Sequence, residues 1–78
     1  MYWKLIDRIE YDYGDMPMST STFIGAVMAI NKDDAIFWFN LLHRNGIITI
    51  PSVIQKNIRN SIEECTIDEY IDFMNTIK

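Results

Sequence analysis

The segment from Asp33 to Arg44 places the strictest limit on how this chain can fold. If it forms a helix, at about 100° per residue, apolar side chains cover well over half of its circumference. The apolar face consists of Ala35, Phe37, Trp38, Phe39, Leu41 and Leu42, and Ile36 lies among the polar residues of the opposite side. Asn31 can cap the start of this helix, and Asn45-Gly46 can end it. A helix this apolar has to be surrounded by other elements, so the sequence predicts that it lies at the centre of the fold.

The first segment, residues 2–13, is compatible with two structures. Tyr2, Leu5, Ile6, Ile9 and Tyr13 fall on one face of a helix, and Gly14 stands where that helix would end. The same segment also alternates apolar and polar side chains over much of its length, as strands do. Helix is the favoured prediction, because a strand of this length is well above the usual five or six residues.

The second segment is also predicted to be helical. Ser19 to Thr22 offers several N-caps for a helix that continues to about Ile30. On that helix Ser21, Gly25 and Ala29 recur every four residues and form a strip of small side chains. Such a strip lets another backbone come close, which favours close packing within the chain; a homodimer through these three residues is the alternative.

The C-terminal half adds shorter elements. Residues 47–50 favour extended backbone, and Pro51 suits the first turn of a helix that continues to about residue 61. Thr66 and Glu69 form a capping box before a final amphipathic helix. The predicted fold class is therefore mainly α: one small domain over residues 1–78, a compact bundle of four to five short helices with at most one short β element near residues 47–50.

The composition argues against several kinds of site. With 78 residues, one cysteine and one histidine, the chain can form neither an internal disulfide nor a structural zinc site, and no cofactor is predicted. Catalysis is not expected: Cys65 follows Glu63 and Glu64, whose charges raise a thiol pKa, and no glycine-rich phosphate loop is present. No apolar run is long enough for a membrane span and no signal sequence is recognisable, so a cytoplasmic location, in a cell or an infected host, is expected.

These exclusions favour a small protein-binding module. The abundance of isoleucine and asparagine is typical of AT-rich genomes, and compact, acidic chains of this size without motifs are common among phage and viral accessory proteins. The prediction is therefore an inhibitor or adaptor that acts on a macromolecular partner. The acidic ends of the chain would attract a basic partner. The predicted partner-binding residues are the aromatic side chains Trp3, Tyr11, Phe37, Trp38 and Phe73.

DNA binding by a helix-turn-helix regulator is the alternative. Helices at 33–44 and 51–61 would have the outline of that motif, and residues 35–62 contain no acidic side chain. The second helix would present Ser52, Gln55, Lys56, Arg59 and Asn60 to nucleic acid. Against this, the spacer between the helices is longer than usual, and a net charge of −4 opposes binding to a polyanion.

Overall fold

A long antiparallel hairpin dominates the computed structural model, which describes residues 1–77. Strand β1 (Tyr2–Tyr13) pairs with strand β2 (Met16–Met28), and the register places Trp3 opposite Val27. The turn between them begins at Gly14, whose φ of 65° is readily adopted only by glycine. The helix favoured for residues 2–13 is therefore wrong, and the strand alternative indicated by the alternating side chains is confirmed.

Strand β2 replaces the helix predicted from Ser19 to Ile30. Its many β-branched and aromatic side chains suit a strand, and pairing with β1 outweighs the capping signal of the Ser/Thr run. Ser21 and Gly25 lie within β2 and Ala29 follows it, so the helical strip proposed for dimerisation does not form. A register shift opposite Leu5/Ile6 marks a β-bulge in this strand.

A third strand, β3 (Ile62–Glu64), completes the sheet in the order β2-β1-β3. It is antiparallel to β1, and the backbone N–H of Cys65 extends the contact by donating to the Tyr2 carbonyl oxygen at 2.9 Å. The predicted mainly α bundle is thus wrong, because the chain forms a three-stranded antiparallel sheet with helices packed on it. Three residues carry too little pattern for β3 to be visible in the sequence.

Helix α1 (Lys32–Arg44) confirms the helix predicted at 33–44. The Asn31 side chain accepts a hydrogen bond from the Asp34 N–H at 2.8 Å. The helix buries Ala35 and Phe39 completely. It ends as predicted, at Asn45 followed by Gly46, whose φ is 75°.

The region after α1 contains less regular structure than predicted. Residues 47–50 form no strand, although Ile48 and Ile50 are buried in the core. The helix predicted at 51–61 is wrong: α2 (Ser52–Gln55) spans one turn, and a separate 3₁₀ turn follows at Ile58–Ser61. No side chain caps α2, so nothing local favours its extension. The predicted capping box of Thr66 and Glu69 is present and starts α3 (Ile67–Thr76).

One hydrophobic cluster joins the helices to the base of the sheet. Its members are Trp3, Leu5, Ala26, Val27, Ala29, Ala35, Phe39, Ile48, Ile50, Ile54, Ile62 and Phe73. The cluster includes only the first part of β1 and the last part of β2. The remainder of the hairpin extends away from the core, and the molecule is accordingly elongated, at 41 × 26 × 23 Å.

Candidate functional site

The projecting part of the hairpin is the most unusual surface of the molecule. Every residue from Arg8 to Phe23 is exposed, and we call this segment the arm. Its strands are long enough to project roughly 20 Å. An isolated two-stranded ribbon is only marginally stable in water, because it has too little apolar surface to bury. An arm of this kind therefore contributes little to the stability of the fold.

The two faces of the arm differ in chemistry. Side chains alternate along each strand, and the register places Tyr11 opposite Met18 and Tyr13 opposite Met16. These four residues and Ile9 therefore form one apolar face, on which Tyr13 is 75% and Met16 71% exposed. The opposite face carries Arg8, Glu10 and Asp12, paired with Ser21, Ser19 and Pro17.

The two edges of the arm also differ. The charged side chains of Arg8, Glu10 and Asp12 protect the β1 edge against association with other strands. By contrast, the chain has no charged residue from Met16 to Asn31, a range that contains all of β2. Within residues 1–77, β2 pairs only with β1. From Met18 to Phe23 its outer edge in the arm therefore presents backbone N–H and C=O groups without protecting charges, whereas Pro17, near the tip, supplies no N–H.

A second apolar surface lies between α1 and α3. It is an open groove of about 330 Å³, and Trp38, Leu42, Tyr70 and Met74 contribute side chains to it. On α1 the ring of Trp38 also contacts that of Phe37, with centroids 5.5 Å apart. This groove is continuous with the core, because the core residues Ala26, Val27 and Phe73 also line it.

The five predicted partner-binding residues do not form one surface. Tyr11 lies on the apolar face of the arm, whereas Phe37 and Trp38 are exposed on α1. Trp3 and Phe73 are each only 7% exposed and belong to the core. The indole N–H of Trp3 donates to the Ala29 carbonyl oxygen at 3.2 Å, which satisfies its polar group inside the fold.

Sequence reasoning missed most of the apolar face. The helix favoured for residues 2–13 places Ile9 and Tyr13 on one of its faces, and no helix or strand is predicted at Met16 or Met18. The signal that could have identified them is the alternation from Ile9 to Tyr13, followed by a glycine and a second apolar alternation.

The five residues proposed for nucleic acid are not presented by one helix. Gln55 lies in α2, where its amide nitrogen donates to the Ile50 carbonyl oxygen at 2.7 Å. Arg59 lies in the 3₁₀ turn and forms an ion pair with Asp33. Ser52 and Lys56 are exposed at the start and the C-terminal cap of α2, and Asn60 is exposed in the 3₁₀ turn with Arg59.

The single histidine and the single cysteine both make contacts inside the fold. The Nδ1 atom of His43 accepts a hydrogen bond from the Ile50 N–H at 3.1 Å. Burial raises the pKa of the Cys65 thiol, and the charge of Glu69 raises it further. The direction agrees with the sequence argument, but the causes are burial and Glu69 instead of Glu63 and Glu64.

In the described part of the chain, residues 1–77, no three His, Cys, Asp or Glu side chains come close enough together to hold a metal ion. None of its helices has the length and apolar character needed to cross a membrane.

Comparison with known proteins gives no match to a family model, to a curated protein or to a solved structure.

Proposed function

We propose that this protein is a non-enzymatic protein-binding module that holds its partner on the apolar face of the arm. The observation that carries the proposal is the exposure of Ile9, Tyr11, Tyr13, Met16 and Met18 along one face of a projecting hairpin. Exposed apolar patches of this kind usually mark interaction sites, and Tyr and Met are enriched at the centres of interfaces. The protein would act as a small inhibitor or adaptor in the cytoplasm.

The charges around the arm suggest which partners it selects. Asp7, Glu10, Asp12 and Asp15 outnumber Arg8 in this part of the chain, and the whole protein has a net charge of −4. Glu10 and Asp12 lie on the face opposite the apolar one, so they act at a distance: the negative potential accelerates association with a basic protein and disfavours acidic ones. The partner is therefore proposed to present an apolar patch on a surface that is positively charged as a whole.

The arm is preferred over the groove between α1 and α3 for a physical reason. In the groove, Trp38 and Leu42 adjoin core residues such as Phe73, so their partial exposure follows from the limited size of a small core. The arm has no such explanation, because Tyr13 and Met16 lie at its far end, away from the core cluster.

The proposal is tested by comparing partner capture between matched variants. The wild-type protein, the double variant Tyr11→Ser/Tyr13→Ser and the control Val53→Ser are immobilised and exposed to extract from the source cells or host. Val53 is 73% exposed on α2, so the control removes an equally accessible apolar side chain elsewhere. We expect a partner that wild type and Val53→Ser retain and the arm variant loses, with binding that weakens as salt rises.

Capture that is equal for all three proteins would contradict the proposal. A titration against duplex DNA tests the alternative in the same preparation. Salt-sensitive DNA binding that is lost on Lys56→Ala/Arg59→Ala, and kept by the arm variant, would favour a nucleic-acid function instead.

A further inference from the structure

We infer that the uncharged outer edge of β2 pairs with the same edge of a second copy, so that two arms form one four-stranded antiparallel sheet. The inference rests on the proposed function only in that both use the arm: the edge binds the second copy, and the apolar face stays open for the partner. Backbone N–H and C=O groups of β2 would provide the main-chain hydrogen bonds, as in other cases of strand addition.

Charge selects the edge that pairs. Each copy has a net charge of −4, so two copies repel one another unless they meet where no charges lie. The β2 edge fulfils this condition over its whole length, from Met16 to Met28. Pairing through the β1 edge of the arm would instead bring Glu10 and Asp12 close to the same carboxylates of the second copy, and like charges across strands are destabilising.

The low stability of an isolated two-stranded arm favours a second copy of the chain as the partner of the β2 edge. Two strands alone are marginal, whereas three or more with an apolar face are independently stable. In a dimer with two-fold symmetry each arm supplies its β2 edge to the other, so the backbone groups of both edges are hydrogen-bonded at once. The charged β1 edges then face outwards, so assembly ends at two copies instead of continuing as a fibre.

The expected dimer is weak. Interfaces that bury less than about 1,200 Å² in total belong to the transient class, and pairing of two arms roughly 20 Å long falls within it. The open apolar faces of the two arms would then adjoin, and Tyr11 and Met18 from each copy would contribute to a single larger surface.

The edge is tested with a pair of variants that carry the same substitution. Ser19→Lys puts a positive charge on the β2 edge, opposite Glu10 in the same copy, so the arm itself keeps its pairing. Ser52→Lys makes the same change of charge on α2, away from the arm. Sedimentation velocity is measured with reductant over about a hundredfold range of concentration, so that Cys65 cannot link two copies.

We expect concentration-dependent dimers for wild type and Ser52→Lys, and association about tenfold weaker or more for Ser19→Lys. Hydrogen exchange then locates the contact without any variant: outward amides between Ser19 and Thr22 should become protected as concentration rises, and those between Glu10 and Asp12 should not. Wild type that stays monomeric, equal dimerisation of both lysine variants, or protection confined to β1 would each overturn the inference.

The two proposals fail in different ways. A monomeric wild type that still loses its partner on Tyr11→Ser/Tyr13→Ser would refute the dimer and support the binding face. A dimer in which the tyrosine substitutions leave partner capture unchanged would refute the binding face and support the dimer.

Discussion

The imidazole Nδ1 of His43 lies 3.1 Å from the backbone nitrogen of Ile50 and accepts its hydrogen bond. Gln55 donates to the carbonyl oxygen of the same residue, so both backbone groups of Ile50 are satisfied by side chains. Ile50 is among the most deeply buried residues of the core. The only histidine of the chain therefore holds an irregular segment, residues 47–50, in place where no strand or helix supplies backbone partners.

Replacing His43 by alanine should destabilise the fold. The Ile50 N–H would lose its acceptor at a site close to the core, at a cost of about 1–3 kcal/mol. Urea unfolding would measure this, with Arg44→Ala as the control because Arg44 is an exposed neighbour on the same helix. A His43→Ala protein as stable as the control would show that the hydrogen bond contributes nothing to folding.

Gly25 is the position where β2 allows the closest approach of α3. A Cβ atom added there would lie 3.1 Å from Cζ of Phe73 and 3.4 Å from Cγ2 of Ile48. Both neighbours are buried, so neither side chain can move aside freely. We expect Gly25→Ala to lower the free energy of unfolding by about 1–3 kcal/mol through overpacking.

A double-mutant cycle separates the contact with the Phe73 ring from any other cost of placing a side chain at position 25 of β2. Phe73→Leu removes the ring atoms that the new methyl group would meet, so the cost of Gly25→Ala should be smaller in that background. If the cost is the same with phenylalanine and leucine at position 73, contact with the ring is not its cause.

Local signals were predicted well from the sequence, and long-range pairing was not. Asn31, Gly46 and the capping box of Thr66 act within one turn of helix, so they could be recognised without knowledge of the fold. The strand β3 was invisible because its existence depends on pairing with Trp3 to Leu5, about sixty residues away along the chain.

The residues of the arm were also difficult to predict, because their exposure depends on distant parts of the chain. The alternation of Ile9, Tyr11 and Tyr13 indicates a strand, but a strand as long as residues 2–13 is unusual, so the length of the segment favoured a helix. Whether these side chains are buried depends on what covers them, and no element within residues 1–77 covers the arm. The burial of Trp3 and the exposure of Tyr11, eight residues apart on one strand, could not be distinguished by residue type.

Lys4 links the sheet to the start of α3. Its Nζ lies 3.0 Å from Oε2 of Glu69 and 3.6 Å from Oε1 of Glu63. The hydrogen bond with Glu69 raises the pKa of Lys4, and the same bond lowers the pKa of Glu69, which also accepts from the Thr66 N–H. The pair should therefore contribute a stabilisation that depends on pH.

The direction of each pKa shift determines at which pH the stabilisation by Lys4 and Glu69 is lost. The contribution of Glu69 is complete above its ordinary pKa of 4.5 and is lost as pH falls through its lowered value. The contribution of Lys4 is complete below its ordinary pKa of 10.5 and is lost as pH rises through its raised value. We expect Lys4→Met to be modestly less stable than wild type between these limits, with the difference shrinking outside them.

Thermal unfolding across this pH range measures the difference. Lys56→Met is the matched control, since Lys56 is exposed after α2 and lies outside the contact with α3. A Lys4→Met deficit that stays constant in acid would mean that the ion pair with Glu69 is not responsible for it.

Gly14 and Gly46 provide a direct comparison between stability of the arm and stability of the core. Both have positive φ, at 65° and 75°, and a methyl group at either would meet no atom within 4 Å. Alanine therefore costs about the same backbone strain at each, roughly 1–2 kcal/mol. Gly14 forms the turn of the arm, whereas Gly46 ends α1 by donating its N–H to the His43 carbonyl oxygen at 3.1 Å.

The same backbone strain should lower the global free energy of unfolding by different amounts at the two positions. Gly46→Ala acts on a turn next to the core, so its full cost should appear in global urea unfolding. Gly14→Ala acts on a segment whose residues are all exposed, so global stability should change by less than about 0.5 kcal/mol, while amides of the arm exchange faster. The two substitutions would be compared by urea unfolding and by hydrogen exchange of the amides from Ile9 to Tyr13. An equal loss of global stability for both would mean that the arm unfolds together with the core, as a single cooperative unit, and that its pairing contributes to holding the base of the sheet.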